Sequence, residues 1–298
     1  KKSSTFKAPR LQVRSAVAPI TLDGKLDEAA WGGAVTTAPF QRPDGQRLGP
    51  EMRIRLKALY DPEAIYFGFV VHDAEGQSTF TKRDETLWKQ DVVEIYLDPD
   101  GDGRNYLELQ VSPNNVVFDA LFKSHRTPAW EQARVWNLSG LETAVHKGAL
   151  PGRTKATGWT VEVRIPFSGL AEIGGSAPAP NSEWNANFFR IEQPADMAHL
   201  ASWSPVSDSP RADFHNLKRA GILQFVQTPQ VIKNRVLRPT KPTRQAPAGS
   251  PGNTPGKAEQ PKSPAPVTSA TTKLPSPADQ PSAGTSARHV PTSPENTP

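Results

Sequence analysis

The chain has 298 residues, among them 31 Pro, 21 Gly and no Cys, with a formal charge of +5. The missing cysteines exclude a disulfide framework, a thiol nucleophile and a thiolate metal site, and no apolar run of about 18 residues is present to span a membrane. The charge is uneven: residues 1–14 carry five Lys/Arg and no acid, residues 229–298 carry nine Lys/Arg and three Asp/Glu, and the stretch between holds 21 basic against 27 acidic side chains. An acidic body without a basic, aromatic-studded stripe argues against a nucleic-acid partner.

Composition divides the chain into a basic N-terminal segment (1–15), a domain (16–228) and a Pro/Ser/Thr-rich tail (229–298). The tail holds 15 of the 31 prolines and no aromatic residue. It lacks the apolar surface to offset chain entropy, so it is expected to be disordered and to act as a semi-rigid spacer. Attachment to a cell envelope is one use for such a spacer.

In chain order, Leu26–Trp31 suggests a short helix. Arg53–Tyr60 and Ala64–Val71 (AIYFGFVV) then read as strands, followed by Val92–Leu97 (VVEIYL), Tyr106–Val111 (YLELQV) and Val116–Phe122 (VVFDALF). Trp159–Ile165 (WTVEVRI) is a further strand, Pro166–Ile173 a second short helix, and Asn187–Glu192 and Gly221–Val226 close the series. The strands are rich in β-branched and aromatic residues and bounded by Gly, Pro, Asn or Asp. Many short strands with little helix predict an all-β fold, an antiparallel β-sandwich.

Alternation assigns the faces. Val93, Ile95 and Leu97 share the core side of one strand, and Leu107, Leu109 and Val111 that of the next. Glu94, Glu108 and Gln110 then point the other way. If the two strands are neighbours joined through Asp98–Asn105, one sheet face presents these three residues together. That face is either a plain solvated surface or a hydrogen-bonding one.

Asp98, Asp100 and Asp102 occupy positions one, three and five of a loop with Gly103 at position six, the front half of a Ca²⁺ loop. The back half is missing, since position twelve is Leu109, and an Asp/Gly-rich hairpin turn accounts for the same residues without metal. No HExxH, GxSxG, phosphate-binding glycine loop or dinucleotide fingerprint is present. Glu94 and Glu108 alone are placed to act as an acid/base pair, and acids on adjacent strands are common. Catalysis is not expected. Trp88 and Trp203 both sit among polar residues, in Thr-Leu-Trp-Lys-Gln-Asp and Ala-Ser-Trp-Ser-Pro. Each is either a core aromatic or a platform on which the apolar face of a sugar ring can stack.

Several segments resemble family 9 carbohydrate-binding modules: Leu22–Trp31 (LDGKLDEAAW), Leu87–Asp98 (LWKQDVVEIYLD), Gly158–Pro166 (GWTVEVRIP), Asn187–Arg190, Ser202–Pro205, Phe214-His215 and Gly221–Phe225. The likeness runs in order over roughly Val17–Val226. It implies a DOMON-like β-sandwich that binds polysaccharide or oligosaccharide without catalysis, holds structural Ca²⁺ and works outside the cytoplasm. By the same resemblance, the sugar lies between Trp88 and Trp203, with Glu94, Gln110 and Asn187 reading its hydroxyls, and the shared sheet face adds Glu108 to them. Two other uses of the same sandwich remain open at this point. One is a structural or adhesive surface module. The other is a haem-binding electron-transfer domain, for which Met52 and Met197 are the available methionine ligands.

Overall fold

The computed structural model describes residues 6–73, 75–152, 157–193, 196–207 and 212–228, so the tail and its expected spacer role lie outside the described residues. The described residues form eleven strands: β1 (Arg10–Ser15), β2 (Ile54–Tyr60), β3 (Ala64–Val71), β4 (Val92–Asp98), β5 (Tyr106–Val111), β6 (Val117–Phe122), β7 (Glu142–Ala149), β8 (Thr157–Pro166), β9 (Glu183–Ile191), β10 (Leu200–Ser202) and β11 (Gly221–Val226). They join in the order β6-β5-β4-β9-β11-β1-β2-β3-β8-β7, with β10 paired to β9. The sheet curls on itself, so that its two halves face each other.

The period-two pattern explains the packing. Alternate residues of both halves, such as Ile54, Leu56, Phe67, Phe69, Val161 and Val163 against Val93, Ile95, Leu107, Leu109 and Phe188, form one large inter-layer core. The other sides of β4, β5, β6 and β9 carry a second apolar cluster that includes Val92, Tyr96, Tyr106, Phe118 and Phe189. A third cluster covers the opposite outer face, where Leu26 and Trp31 lie on Leu59, Ala64 and Tyr66 of β2 and β3. Both outer faces are therefore apolar and covered, and this is why β4 and β5 are buried at every position.

Every strand expected from alternation is present, and three more appear. Residues 10–15, set with the basic start by charge, form β1, which runs parallel to both β11 and β2. Charge at Arg10 and Arg14 masks a strand whose Leu11 and Val13 are fully buried. Strand β7 is a half-exposed edge strand paired only to β8, and β10 has three residues, so neither leaves a strong apolar pattern. The expected helices shrink to one turn, α1 (Ala29–Gly32), and to two 3₁₀ turns at Phe167–Gly169 and Ala171–Ile173. A second one-turn helix, α2 (Trp130–Ala133), follows β6.

Candidate functional site

Strand pairing lays out the site in rows across the sheet. Phe118 of β6 faces Gln110 of β5, Gln110 faces Glu94 of β4, and Glu94 faces Phe189 of β9. The next row runs Ala120, Glu108, Tyr96 and Asn187. Each row thus has polar residues on its two middle strands, and the first has an aromatic at either end. Three strand spacings separate Phe118 from Phe189, about 14 Å.

Loops raise walls at both ends. The 3₁₀ turn Leu87–Lys89 buries Leu87 and leaves Trp88 half-buried, edge-on to Phe118 at 5.4 Å between ring centroids. Trp130 of α2 meets Trp88 edge-on at 5.0 Å, so the two indoles brace each other. At the far end Phe214 stacks flat on Phe189, with centroids 3.9 Å apart and planes 8° from parallel. Between these walls lies a cavity of about 510 Å³, lined also by Glu94, Tyr96, Glu108, Gln110, Arg126 and His215. That volume suits a small ligand.

The floor is polar and buried. Glu94 and Gln110 are each 1 % exposed and Glu108 is 6 % exposed. Gln110 Nε2 donates to Glu108 Oε1 at 2.6 Å, and the Tyr96 hydroxyl also bonds Glu108. Glu94 Oε2 and Gln110 Oε1 have no partner in the protein. Burial pushes both carboxyls up. At Glu94 the charge of Glu108 adds to the rise, and at Glu108 the Gln110 and Tyr96 hydrogen bonds oppose it. His215 Nδ1 lies 2.8 Å from the Tyr106 hydroxyl, and its Nε2 lies 3.6 Å from Glu108 Oε2. Burial, helped by nearby Arg126, lowers this imidazole to about 3, so it is neutral at physiological pH. Buried carboxyl and amide oxygens beneath aromatic walls form a surface that can take hydrogen-bond donors from a ligand.

Of the residues expected from sequence, Trp88, Glu94, Glu108 and Gln110 come together here. The face they share is enclosed, unlike the open sheet face that alternation alone allows. Trp203 does not join them. It is 6 % exposed and belongs to the inter-layer core, with its indole 5.4 Å from Phe188. Phe188 and Phe189 point to opposite sides of β9, so the sheet itself separates Trp203 from Trp88 and the expected two-tryptophan sandwich cannot form. Asn187 lies on the cavity side, but its amide is taken: Nδ2 donates to the Ser204 carbonyl at 3.1 Å, and Oδ1 accepts from the Ser204 and Phe188 amides. Its work is to hold the chain that covers the end of its row. Met52, one methionine available for haem, is fully buried in the inter-layer core.

At the end of β4, carboxylate oxygens of Asp98, Asp100 and Asp102 lie within 4.8 Å of one another. Asp98 is buried and its Oδ1 has no partner, while Oδ2 accepts from the Gly103 amide at 3.1 Å. Burial, with the charges of Asp100 and Asp102 adding to it, raises the Asp98 carboxyl to about 6. A buried orphan oxygen facing two further carboxylates is a donor set that fits a hard divalent cation such as Ca²⁺.

Sequence reasoning missed Tyr96, Phe118, Phe122, Trp130 and His215 as cavity residues, and missed Phe214 as the second wall. Tyr96 was recoverable, since it shares the face of Glu94. Phe214 and His215 stood in the resemblance without a role. Trp130 had no signal, because only tertiary contact brings α2 to Trp88.

Comparison with known proteins agrees with this architecture. The family model described as "Carbohydrate family 9 binding domain-like" matches residues 22–228. An "Extracellular protein" of Arthroderma benhamiae is 29% identical over 167 residues, covering 52% of this chain and 67% of its own. A protein of known structure from Bacteroides uniformis superposes with a TM-score of 0.55 at 16% identity, covering 74% of this chain and 100% of that one. A family 9 carbohydrate-binding module from Caldicellulosiruptor kristjanssonii, solved in complex with cellotriose, gives a TM-score of 0.51 at 18% identity, covering 78% and 100% of the two chains. Its glucose complex gives 0.50 at 19% identity, covering 75% and 99%. With a fold, a motif order and a family model that agree over most of its described length, the chain belongs to the carbohydrate family 9 binding domain-like family.

Proposed function

We propose that the protein is a non-catalytic carbohydrate-binding protein of the extracytoplasmic space, and that it holds a sugar in the cavity between Trp88 and Phe214. The observation that carries this reading is the row Phe118, Gln110, Glu94, Phe189, with an aromatic wall at each end and unpaired buried acceptors in the middle. A pyranose has the matching surfaces. Its C–H faces pack on aromatic rings, and its hydroxyls donate to carboxylate and amide oxygens. The complexes of the related module with cellotriose and glucose make a β-glucan oligosaccharide the first ligand to try. The printed name of the Arthroderma relative agrees with an extracellular setting, and no helix among the described residues is long and apolar enough to cross a membrane.

The test is a titration of the chain with cellotriose, followed by tryptophan fluorescence. Trp88→Ala is expected to weaken binding at least about 30-fold, because a truncated interface tryptophan typically costs 2 kcal/mol or more. A Trp88→Ala protein that binds as tightly as the parent sinks this site.

The same reading assigns a structural Ca²⁺ to Asp98, Asp100 and Asp102, where it would supply the positive charge that three clustered carboxylates lack. At a concentration about 100 times its dissociation constant it stabilises by about 2.7 kcal/mol. For a domain of this size that raises Tm by roughly 5–10 °C. Melting curves in EDTA and in excess Ca²⁺ measure it, and Asp98→Ala is expected to remove the difference. Identical curves for the parent protein would exclude a folding-linked ion at this loop.

A further inference from the structure

We propose that the cavity prefers a cationic sugar, a hexosamine unit with a free amine, over the neutral sugar of the same shape. The inference rests on the reading that this cavity holds a saccharide, and it goes further by naming the class.

The argument begins with charge. Glu94 and Glu108 sit diagonally on neighbouring strands, Glu94 opposite Gln110 and Glu108 opposite Tyr96. Both are nine-tenths or more buried. Among the described residues neither bonds a cation, and the charge of Arg126, which lines the same cavity, offsets their burial only in part. His215 approaches Glu108 but is neutral. Arg126 gives Nε and Nη2 to Asp213 and keeps 55 % of its side chain exposed. Asp213 also takes His125, which leaves that pair outside the floor. Tyr96 and Tyr106 are held protonated, chiefly by burial. Burial and their mutual repulsion oppose ionisation of the two carboxyls together in the empty protein, and a ligand that brings one positive charge favours it.

Hydrogen bonding points the same way. On the floor itself, Gln110 Nε2 and the Tyr96 hydroxyl both serve Glu108. What remains are acceptors, Glu94 Oε2 and Gln110 Oε1. An ammonium offers three donors and no acceptor, so it matches three oxygens on this floor without creating a new unpaired lone pair. A hydroxyl offers the same oxygens one donor and no charge. The aromatic walls add to the preference, because the faces of Trp88, Trp130 and Tyr96 attract a cation and have no charge-dependent preference for a neutral ring.

The experiment uses three trimers of the same linkage that differ at C2: cellotriose with hydroxyls, the glucosamine trimer with free amines, and its N-acetylated form. Each is titrated into the full chain at pH 5.5 and at pH 6.5, because the neighbouring oxygens make a 2-amino sugar less basic than an alkylamine and the lower pH keeps it cationic. The free-amine trimer is expected to bind at least about tenfold tighter than cellotriose, since a hydrogen bond to a charged group is stronger than one between neutral groups. Glu94→Gln is expected to bring that ratio close to one, and Glu108→Gln to reduce it. Trp88→Ala must remove binding of the free-amine trimer, which separates the cavity from general attraction to an acidic surface. Cellotriose binding as tightly as the free-amine trimer, or a preference that survives Glu94→Gln, overturns the inference and leaves the cavity reading intact. If no trimer binds, or if all three bind Trp88→Ala as they bind the parent, the cavity reading falls and the inference with it.

Discussion

Trp203→Ala is expected to cost about 3–5 kcal/mol of stability, the usual range for emptying a buried aromatic site. In a domain of this size that lowers Tm by roughly 6–20 °C. The indole is packed against Phe188 in the inter-layer core, and its backbone amide donates to the Phe188 carbonyl at 2.9 Å. Gly221 lies directly beneath the ring: a Cβ there would collide with it, so the glycine is small because the tryptophan fills the space. Removing the ring leaves a cavity that β9, β10 and β11 cannot close without shifting their shared hydrogen bonds. Trp88→Ala differs in kind. Its ring is half-buried at the rim and touches Phe118 and Trp130, so most of its loss appears in ligand affinity. Urea unfolding and cellotriose titration of the two variants side by side separate the roles. A stable Trp203→Ala protein that no longer binds sugar would place the sugar against the wrong tryptophan.

That contrast shows where a single sequence is legible and where it is not. Polar neighbours mark Trp203 as a loop residue, yet Ser202 and Ser204 are themselves fully buried. Ser204 Oγ donates to the Arg219 carbonyl at 2.6 Å, and its amide donates to Asn187 Oδ1. Buried small polar residues such as these imitate an exposed loop, and no local pattern distinguishes the two. Strands were readable because alternation is a local property, and so was the shared face of Glu94, Glu108 and Gln110. The burial of that face was not readable. It depends on Trp130, Phe214 and His215, which arrive from distant parts of the chain. Strand β1 shows the converse limit: its partners β2 and β11 hide the backbone of a segment whose composition reads as charged and loose.

Glu162→Ala tests what the opening motif of the family is for. Leu22–Trp31 carries no residue of the cavity. Instead it wraps onto β8, where the fully buried Glu162 carboxylate accepts from the amides of Asp23 and Gly24 at 3.0 and 2.8 Å, and from Trp31 Nε1 at 2.8 Å. Gly24 has φ +83°, and a Cβ there would lie 2.6 Å from the backbone at Val145 and His146, so the turn admits only glycine at this point. One carboxylate thus ties the Asp-Gly turn and the distal tryptophan to the outer face of β3 and β8, on the side of the sandwich away from Glu94. Removing it strands three donors, each costing about 1–3 kcal/mol when left unpaired. Partial entry of water lowers the total, and the expected loss is about 3–5 kcal/mol. Glu162→Gln keeps one acceptor oxygen and should lose less, because its amide nitrogen faces N–H groups it cannot pair with. Cellotriose affinity of either variant, measured at low temperature where the protein remains folded, should match the parent. Equal unfolding curves for Glu162→Ala and the parent would mean that the motif is held by the packing of Leu26 and Trp31 alone. A folded variant with weakened binding would mean instead that the two outer faces of the sandwich are coupled.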